Sequence, residues 1–176
     1  MLTINGHIPA AYNGEKIYFC PLPQPRPEYS DSTVIENGSF KFEIPADSGY
    51  VAKLQIDNHA PEAQYLQILY VGVEPGVLNV EMGLNSKGSG TPANDRLQEL
   101  KDYIDSVSGN FDIRLLQRSE LILAKIADFV IATPNGIGGY YLGKYGEFFP
   151  DSAKARIDSL GLKKFIPDVS TRKPRK

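Results

Sequence analysis

A glycine-rich stretch near Lys144 has residue types that bind phosphate groups. The stretch Gly138-Gly-Tyr-Tyr-Leu-Gly143-Lys144 nearly matches a P-loop, in which backbone amides and a lysine cradle a nucleotide's phosphates. A P-loop follows a strand and also needs a serine or threonine after the lysine to hold magnesium. Here Tyr145 follows Lys144, and the surrounding pattern is helical. We therefore predict that these glycines let a helix pack closely.

A second stretch, Gly88-Ser-Gly90-Thr-Pro-Ala93, has the glycine spacing of a dinucleotide-binding fingerprint. That fingerprint requires a parallel βαβ unit, and the sequence around it does not predict one. Pro92 also stands where a pyrophosphate-binding amide would be needed, and proline has no backbone N–H. The stretch is better explained as a joint followed by a helix cap, so we predict no cofactor.

Histidine and cysteine chemistry is limited by number and spacing. His7 and His59 are the only histidines, and no carboxylate-rich cluster has metal-ligand spacing around them. Cys20 is the only cysteine, which excludes an internal disulfide and a Cys-x-x-Cys pair, and its apolar neighbours indicate a buried thiol. No Ser-His-Asp set or Gly-x-Ser-x-Gly elbow is present. We predict no catalytic, cofactor-binding or metal-binding residue, and hence not an enzyme.

Tyrosine is the residue type that leaves an alternative open. The chain has 10 tyrosines and no tryptophan. Tyrosines can line a ligand-binding face, and more often they fill a core with the hydroxyl group at water.

The amino-acid composition limits which kinds of binding partner the chain could have. The apolar share of 41% and charged share of 23% are typical of a globular chain, and a net charge of −2 gives no field for nucleic acid. Four basic residues cluster in 172–176, which we interpret as a solvated tail. No run approaches the roughly 18 apolar residues of a membrane helix, and no signal peptide is evident. This favours a cytosolic protein or the mature fragment of an exported one.

The elements that position these residues begin with a turn. Asn37-Gly38 predicts a two-residue type I′ hairpin, because both residues tolerate positive φ. Phe40, Phe42 and Ile44 then alternate with polar residues, and 33–35 is β-branched, so we predict paired strands on both sides.

Further strands are predicted by alternation or by continuous apolar runs. They cover residues 2–8, 16–20, 50–56, 65–73 and 77–82, with Glu74-Pro-Gly76 as a tight turn. The prolines at 21, 23, 25 and 27 predict an edge segment protected against strand addition. About seven short strands without intervening helices predict an antiparallel β-sandwich or a partly closed barrel.

Composition changes at Gly83. A joint over 84–90 is followed by a helix that Thr91 caps, with Pro92 at its first position. Further helices are predicted over 112–132, 140–149 and 153–160. We therefore predict an α+β chain: a sandwich domain (1–83), the joint (84–90), a segment of three to four helices (91–165) and a basic tail (166–176). Because seven or more large apolar side chains mark the helices, we expect them either to fold back on the sandwich or to dock another domain.

The order of these signals resembles a known family. Ile4-Asn-Gly6, Lys16-Ile-Tyr18, Ser32-Thr-Val-Ile-Glu-Asn-Gly-Ser-Phe-Lys-Phe42, Glu74-Pro-Gly76 and Gly88-Ser-Gly-Thr-Pro-Ala-Asn-Asp95 occur in sequence. Over roughly residues 2–95 the chain resembles the domain of unknown function that precedes thioredoxin-like (peroxiredoxin or thiol–disulfide interchange) domains in bacterial envelope proteins.

The resemblance implies an exported module, periplasmic or associated with the outer membrane, for example in a lipoprotein. The chain lacks the Cys-x-x-Cys pair of the thioredoxin domain, so no catalytic residue carries over. The expected function is a non-catalytic accessory module that positions or recruits partners for thiol–disulfide chemistry. Its partner would be a protein or a missing C-terminal thioredoxin-like domain, and self-association through the helices is also open. The alternative is a stand-alone envelope protein that binds a glycan or peptide.

Overall fold

The computed structural model describes residues 1–22, 31–56, 68–108 and 119–168, and this part contains eight strands and four α-helices. The strands are β1 (Leu2–His7), β2 (Lys16–Pro21), β3 (Asp31–Val34), β4 (Ser39–Ile44), β5 (Tyr50–Ile56), β6 (Ile68–Val73), β7 (Gly76–Glu81) and β8 (Lys87–Ser89). The helices are α1 (Pro92–Ser108), α2 (Glu120–Ala132), α3 (Ile137–Tyr145) and α4 (Asp151–Ser159).

The strands form two four-stranded sheets that pack face to face. Sheet A has the order β4-β1-β7-β8, and sheet B has the order β3-β2-β5-β6. Alternate residues of both sheets point inward, as period-two strands require, and form one apolar core. Its fully buried members include Leu2, Ile4, Ile17, Phe19, Ile44, Leu54, Ile56 and Leu78. The predicted α+β fold with a β-sandwich is confirmed.

One strand pair departs from the antiparallel prediction. β1 and β7 are parallel, in a register that runs from Leu2 opposite Gly76 to His7 opposite Glu81. The cause is the short crossing from β6 in sheet B to β7 in sheet A. The Gly76 N–H donates to the Met1 carbonyl at 3.1 Å, so β7 starts beside the start of β1 and runs in the same direction.

The Asn37-Gly38 turn is confirmed, but the long hairpin predicted around it is wrong. Asn37 and Gly38 have φ of 51° and 68°, and Glu36 and Ser39 exchange backbone hydrogen bonds at 3.0 and 2.9 Å, as in a type I′ turn. Beyond that bridge the strands do not pair, because β3 belongs to sheet B and β4 to sheet A. The turn is therefore a corner between the two sheets, and each strand buries its apolar face from a different side of the core.

The other strand predictions hold to within one or two residues where the structure describes them. β6 begins at Ile68, and the predicted start of that strand at 65 lies outside the described residues. Pro21 ends β2, whereas the prolines at 23, 25 and 27 lie outside the described residues.

A strand that was not predicted forms inside the joint at 84–90. β8 pairs with β7. Gly88 of β8 is buried against Leu78 and Leu69, and a Cβ added to it would lie 3.5 and 3.6 Å from their side chains. The division into sandwich and helical domains stays a prediction.

Two helix boundaries differ from the predictions. Ser119 has an extended backbone and its hydroxyl accepts from the Ile122 N–H, so α2 begins at Glu120 and not at 112; residues 109–118 lie outside the described part. α3 runs from Ile137 to Tyr145 rather than over 140–149, because Gly136 (φ 61°) starts it and a 3₁₀ turn, Gly146–Phe148, follows it.

The helices pack on each other and on the outer face of sheet B. Val51 of β5, and Leu22 just after β2, join one apolar cluster with the helices. The buried helical members of this cluster include Ile122, Ile126, Val130, Ile137, Leu142 and Ile157. Of the two alternatives, the helices thus fold back on the sandwich. The molecule has three layers: sheet A, sheet B and helices.

Candidate functional site

Asn94 joins the first helix to the edge of sheet B. It is 2% exposed, and its side-chain amide is hydrogen-bonded to both backbone groups of Gly72 on β6. The Gly72 N–H donates to Asn94 Oδ1 at 2.9 Å, and Asn94 Nδ2 donates to the Gly72 carbonyl at 2.8 Å. Asn94 Nδ2 also donates to Thr91 Oγ1 at 2.7 Å. The amide thus substitutes for one residue of a neighbouring strand at the edge of β6.

The start of α1 is closed by carboxylates of the chain itself. The Ala93 N–H donates to Glu74 Oε1 at 2.6 Å, and the Gly90 N–H donates to Asp95 Oδ1 at 2.7 Å. Both carboxylates stabilise the positive end of the helix dipole. The amides of the stretch 88–93 therefore hold protein side chains, in agreement with its interpretation as a joint and helix cap.

The P-loop-like stretch forms α3 and its glycines permit close packing, as predicted. A Cβ at Gly138 would collide with the Thr133 carbonyl, and a Cβ at Gly139 would collide with the Phe165 carbonyl. Glycine is thus required by the contact of α3 with the segments on either side of it.

α3 also places Lys144 in a group of aromatic rings that we call the tyrosine–lysine cluster: Tyr70, Tyr140, Tyr141, Lys144 and Tyr145. Lys144 Nζ lies 6.0 Å from the ring centres of Tyr70 and Tyr140 and 5.3 Å from that of Tyr145. Tyr70 and Tyr140 stack with centroids 6.1 Å apart and ring planes 25° apart. An ammonium group over ring faces is attracted by their quadrupoles. The cluster therefore fixes α3 to β6 and holds one cation in place.

The protonation states of the cluster follow from burial and neighbouring charge. Burial alone would lower the pKa of Lys144, but interaction with Tyr145, Tyr140 and Tyr70 and a hydrogen bond to Tyr145 raise it above its ordinary value. Burial raises the pKa of both Tyr140 and Tyr141. At neutral pH Lys144 is therefore an ammonium group beside the neutral phenols of Tyr140 and Tyr141, an arrangement that can bind a ligand by stacking or charge.

The cluster is partly open to solvent. Tyr70 is 37% exposed, and Lys144 is exposed. The sequence alone could group the helical members of the cluster, because they recur at helical spacing: Tyr140, Tyr141, Lys144 and Tyr145. Tyr70 could not be assigned to the group from sequence, because it comes from a strand far away in the chain.

The remaining candidate residues stay apart. His7 is exposed at the end of β1, opposite Ser39 and Glu81, and His59 lies outside the described residues. Within residues 1–22, 31–56, 68–108 and 119–168, no group of three or more His, Cys, Asp or Glu side chains could hold a metal ion. Cys20 is free and 3% exposed.

The helical layer retains a few exposed apolar side chains on separate elements. Leu121 on α2 is 67% exposed, Phe148 is 43% exposed and Leu160 is 53% exposed. In the described part of the chain, no helix combines the length and apolar character needed to span a membrane.

Comparison with known proteins assigns the family. The model of the family described as a domain of unknown function, DUF4369, matches residues 2–97. Curated proteins and solved structures gave no match. The matched span covers both sheets and the first turns of α1, including Asn94 and Leu97. This chain belongs to the family of the domain of unknown function DUF4369.

Proposed function

We propose that the chain is a non-catalytic accessory module of an exported thioredoxin-like, thiol–disulfide interchange protein, and that it positions or recruits a partner for that chemistry. The proposal places it in the periplasm or at the outer membrane. Its sequence support is the resemblance of residues 2–95 to modules that precede thioredoxin-like domains.

The observation that carries the non-catalytic part is the state of Cys20. Thiol–disulfide exchange requires an accessible thiolate to attack a disulfide. Cys20 is the fifth of the six residues of β2, and its side chain is 3% exposed. Any exchange chemistry is therefore supplied by a partner, and this chain contributes a rigid surface.

The same rigidity supports a positioning role. The helices are fixed to sheet B by the Asn94 hydrogen bonds and by the apolar cluster around Val51, Ile126 and Ile137. A module that orients a second domain must hold its own layers in one arrangement, since loose layers would lose the geometry they are to impose.

A second candidate is a stand-alone envelope protein that binds a glycan or a peptide. The tyrosine–lysine cluster favours it, because Tyr70 and Lys144 offer an aromatic ring and a cation to solvent on the same surface. Sugar rings and peptide side chains pack on tyrosine faces, whose hydroxyl groups stay at water.

The two candidates are separated by one pair of experiments. The first step is to read the coding sequence that follows Lys176. Any thioredoxin-like domain encoded there is then assayed for insulin reduction, both alone and in tandem with this chain. We expect the tandem protein to exchange faster or with altered substrate preference, and the Cys20→Ser variant of the tandem to behave like the wild type. Loss of turnover in Cys20→Ser would refute the non-catalytic role.

The ligand-binding candidate is tested by titrating the chain with acidic and neutral oligosaccharides and following tyrosine fluorescence. Saturable binding that the Tyr70→Ala and Lys144→Ala variants abolish, with no thioredoxin-like domain in the reading frame, would favour this candidate over the accessory module. Tyr103→Ala on α1 is the matched control, because Tyr103 lies outside the cluster.

A further inference from the structure

The corner at Asn37-Gly38 leaves two strand edges facing an open groove. Among the described residues β3 pairs only with β2, and β4 pairs only with β1. The two strands meet at the bridge between Glu36 and Ser39 and then separate into different sheets. The groove between them has a volume of about 810 Å³.

The turn fixes which backbone groups of β3 point into this groove. Glu36 exchanges both of its backbone hydrogen bonds with Ser39, across the corner, whereas the Ile35 N–H donates toward β2. Backbone groups of successive strand residues point to opposite edges. The N–H and C=O groups of Val34 and Ser32 therefore point away from β2 and into the groove.

β4 presents a better protected edge to the same groove. The backbone N–H and C=O of Ser39 bond to Glu36 and so point away from β1. Because these groups alternate in direction along a strand, those of Lys41 and Glu43 also point away from β1. Their side chains form an ion pair at 2.6 Å on this edge, and charged residues on an edge strand oppose strand addition. Val34 on β3, in contrast, is 43% exposed and apolar. β3 is therefore the edge better suited to accept a strand.

The charged side chains around the groove indicate which kind of peptide strand could add to the β3 edge. Lys16 lies opposite Val34 on β2, and Lys41 and His7 line the groove from sheet A. Glu36 is the one acidic side chain among the described residues that line it. Lys41 is paired with Glu43, so Lys16 is the cation beside β3 that favours an acidic residue in the added strand.

We propose that the free edge of β3 is a docking site for an extended acidic segment of a partner protein, which adds to sheet B as a further strand. Backbone hydrogen bonds to Ser32 and Val34 supply the pairing, an apolar residue of the segment covers Val34, and an acidic residue faces Lys16. The inference stands apart from the redox proposal, because it depends on the strand edges alone.

The test uses a fluorescein-labelled octapeptide of alternating valine and glutamate and measures its binding by fluorescence polarisation. Val34→Pro removes an N–H that points into the groove and leaves the β2–β3 ladder intact. We expect it to weaken binding about tenfold, the effect of roughly one lost backbone hydrogen bond. Glu43→Pro removes an N–H from the β4 edge and releases Lys41 from its ion pair, so this control should not weaken binding of the acidic peptide.

Charge is tested separately. Lys16→Glu weakens binding of the valine–glutamate peptide, whereas Lys87→Glu, on the far edge strand β8, does not. A peptide in which lysine replaces glutamate binds more weakly than the acidic peptide to the wild type. Equal binding of the two peptides would overturn the charge argument and the proposal with it.

A measurement on the unmodified chain keeps the test independent of variant folding. Binding of the acidic peptide slows amide hydrogen exchange at Ser32 and Val34. Unchanged exchange at both residues, or equal affinity of the wild type and Val34→Pro, would overturn the proposal. A dimer of the wild type that Val34→Pro dissociates in sedimentation would also overturn it, since a second copy would then occupy the edge.

Discussion

Removing the Asn94 side chain tests whether one buried amide holds the helical layer on the sandwich. In Asn94→Ala the N–H and C=O of Gly72 lose the partners that now lie at 2.9 and 2.8 Å. Gly72 is buried, packed against Ile137 and Ala93, so these groups have no direct access to bulk water. Both backbone groups are then left unsatisfied in an apolar junction.

The expected loss follows from those groups. A buried donor or acceptor left without a partner costs about 1–3 kcal/mol, so the two groups together cost about 2–6 kcal/mol in free energy of unfolding. A small domain has a total stability of about 5–15 kcal/mol, so this is a large fraction. With a urea m-value of about 2 kcal/mol/M, the denaturation midpoint should fall by about 1–3 M.

The Asn94→Asp variant adds a second test, in which the stability of the variant is measured as a function of pH. The carboxylate keeps an acceptor for the Gly72 N–H but places negative charge against the Gly72 carbonyl, so at neutral pH we expect a loss at least as large as in Asn94→Ala. A protonated carboxyl group can again donate to that carbonyl. The stability difference from the wild type should therefore shrink as the pH falls through the raised pKa of the new carboxyl group.

The assay is urea denaturation followed by tyrosine fluorescence, with amide hydrogen exchange at Gly72 as a local readout. Asn79→Ala on the outer, exposed face of β7 is the matched control and should change the free energy of unfolding by no more than about 0.5 kcal/mol. If Asn94→Ala shifted the midpoint no more than this control and left the Gly72 amide protected, the account of the junction would be wrong.

Three further outcomes are expected. Gly38→Val should lower the free energy of unfolding by about 1 kcal/mol or more in urea denaturation, because Gly38 has φ of 68° and its added Cβ would lie 2.9 Å from a backbone carbonyl oxygen; an unchanged midpoint would contradict the turn assignment. Gly139→Ala should cost about 1–3 kcal/mol through its collision with the Phe165 carbonyl, whereas Gly83→Ala, with open space around it, should be near neutral. Burial raises the pKa of Tyr141, so the unfolded state releases its phenolic proton first and stability should fall as the pH rises above about 10. Urea midpoints measured across this range should fall less steeply in Tyr141→Phe, and equal slopes would argue against a buried phenol.

Local patterns predicted the elements well because each is determined within a few residues. The Asn37-Gly38 turn and the alternation of Phe40 and Phe42 both depend on near neighbours in the chain. The predicted cap shows the limit of this rule, because the Ala93 N–H at the start of α1 donates to Glu74, which is distant in sequence. The pairing of strands depends on distant segments, and the same local signals suit a flat hairpin or a corner between sheets. For that reason the turn was predicted correctly and the pairing of β3 with β4 was not.

The candidate site shows the same limit. The helical spacing of Tyr140, Lys144 and Tyr145 could be read from sequence, but the contact with Tyr70 required the packing of α3 on β6. Asn94 carried no signal of its own, since an asparagine in the first turn of a helix is ordinarily solvated. Its role arises only because β6 is an edge strand whose Gly72 needs a partner.

The family match extends past the sandwich into α1, and this extension includes the side chain that satisfies one edge of sheet B. The sandwich predicted over 1–83 would leave the Gly72 groups of β6 unpaired, and it would also lack β8. The match to residue 97 includes β8, the Asn94 amide and Leu97, which packs in the cluster with Val51. One edge of sheet B is thus satisfied within the matched span, whereas the β3 edge at the corner has no comparable side chain among the described residues. If edge protection is what sets the extent of this unit, a chain ending at residue 83 should bind the valine–glutamate peptide at β6 as well as at β3, whereas one ending at 97 should bind it at β3 alone.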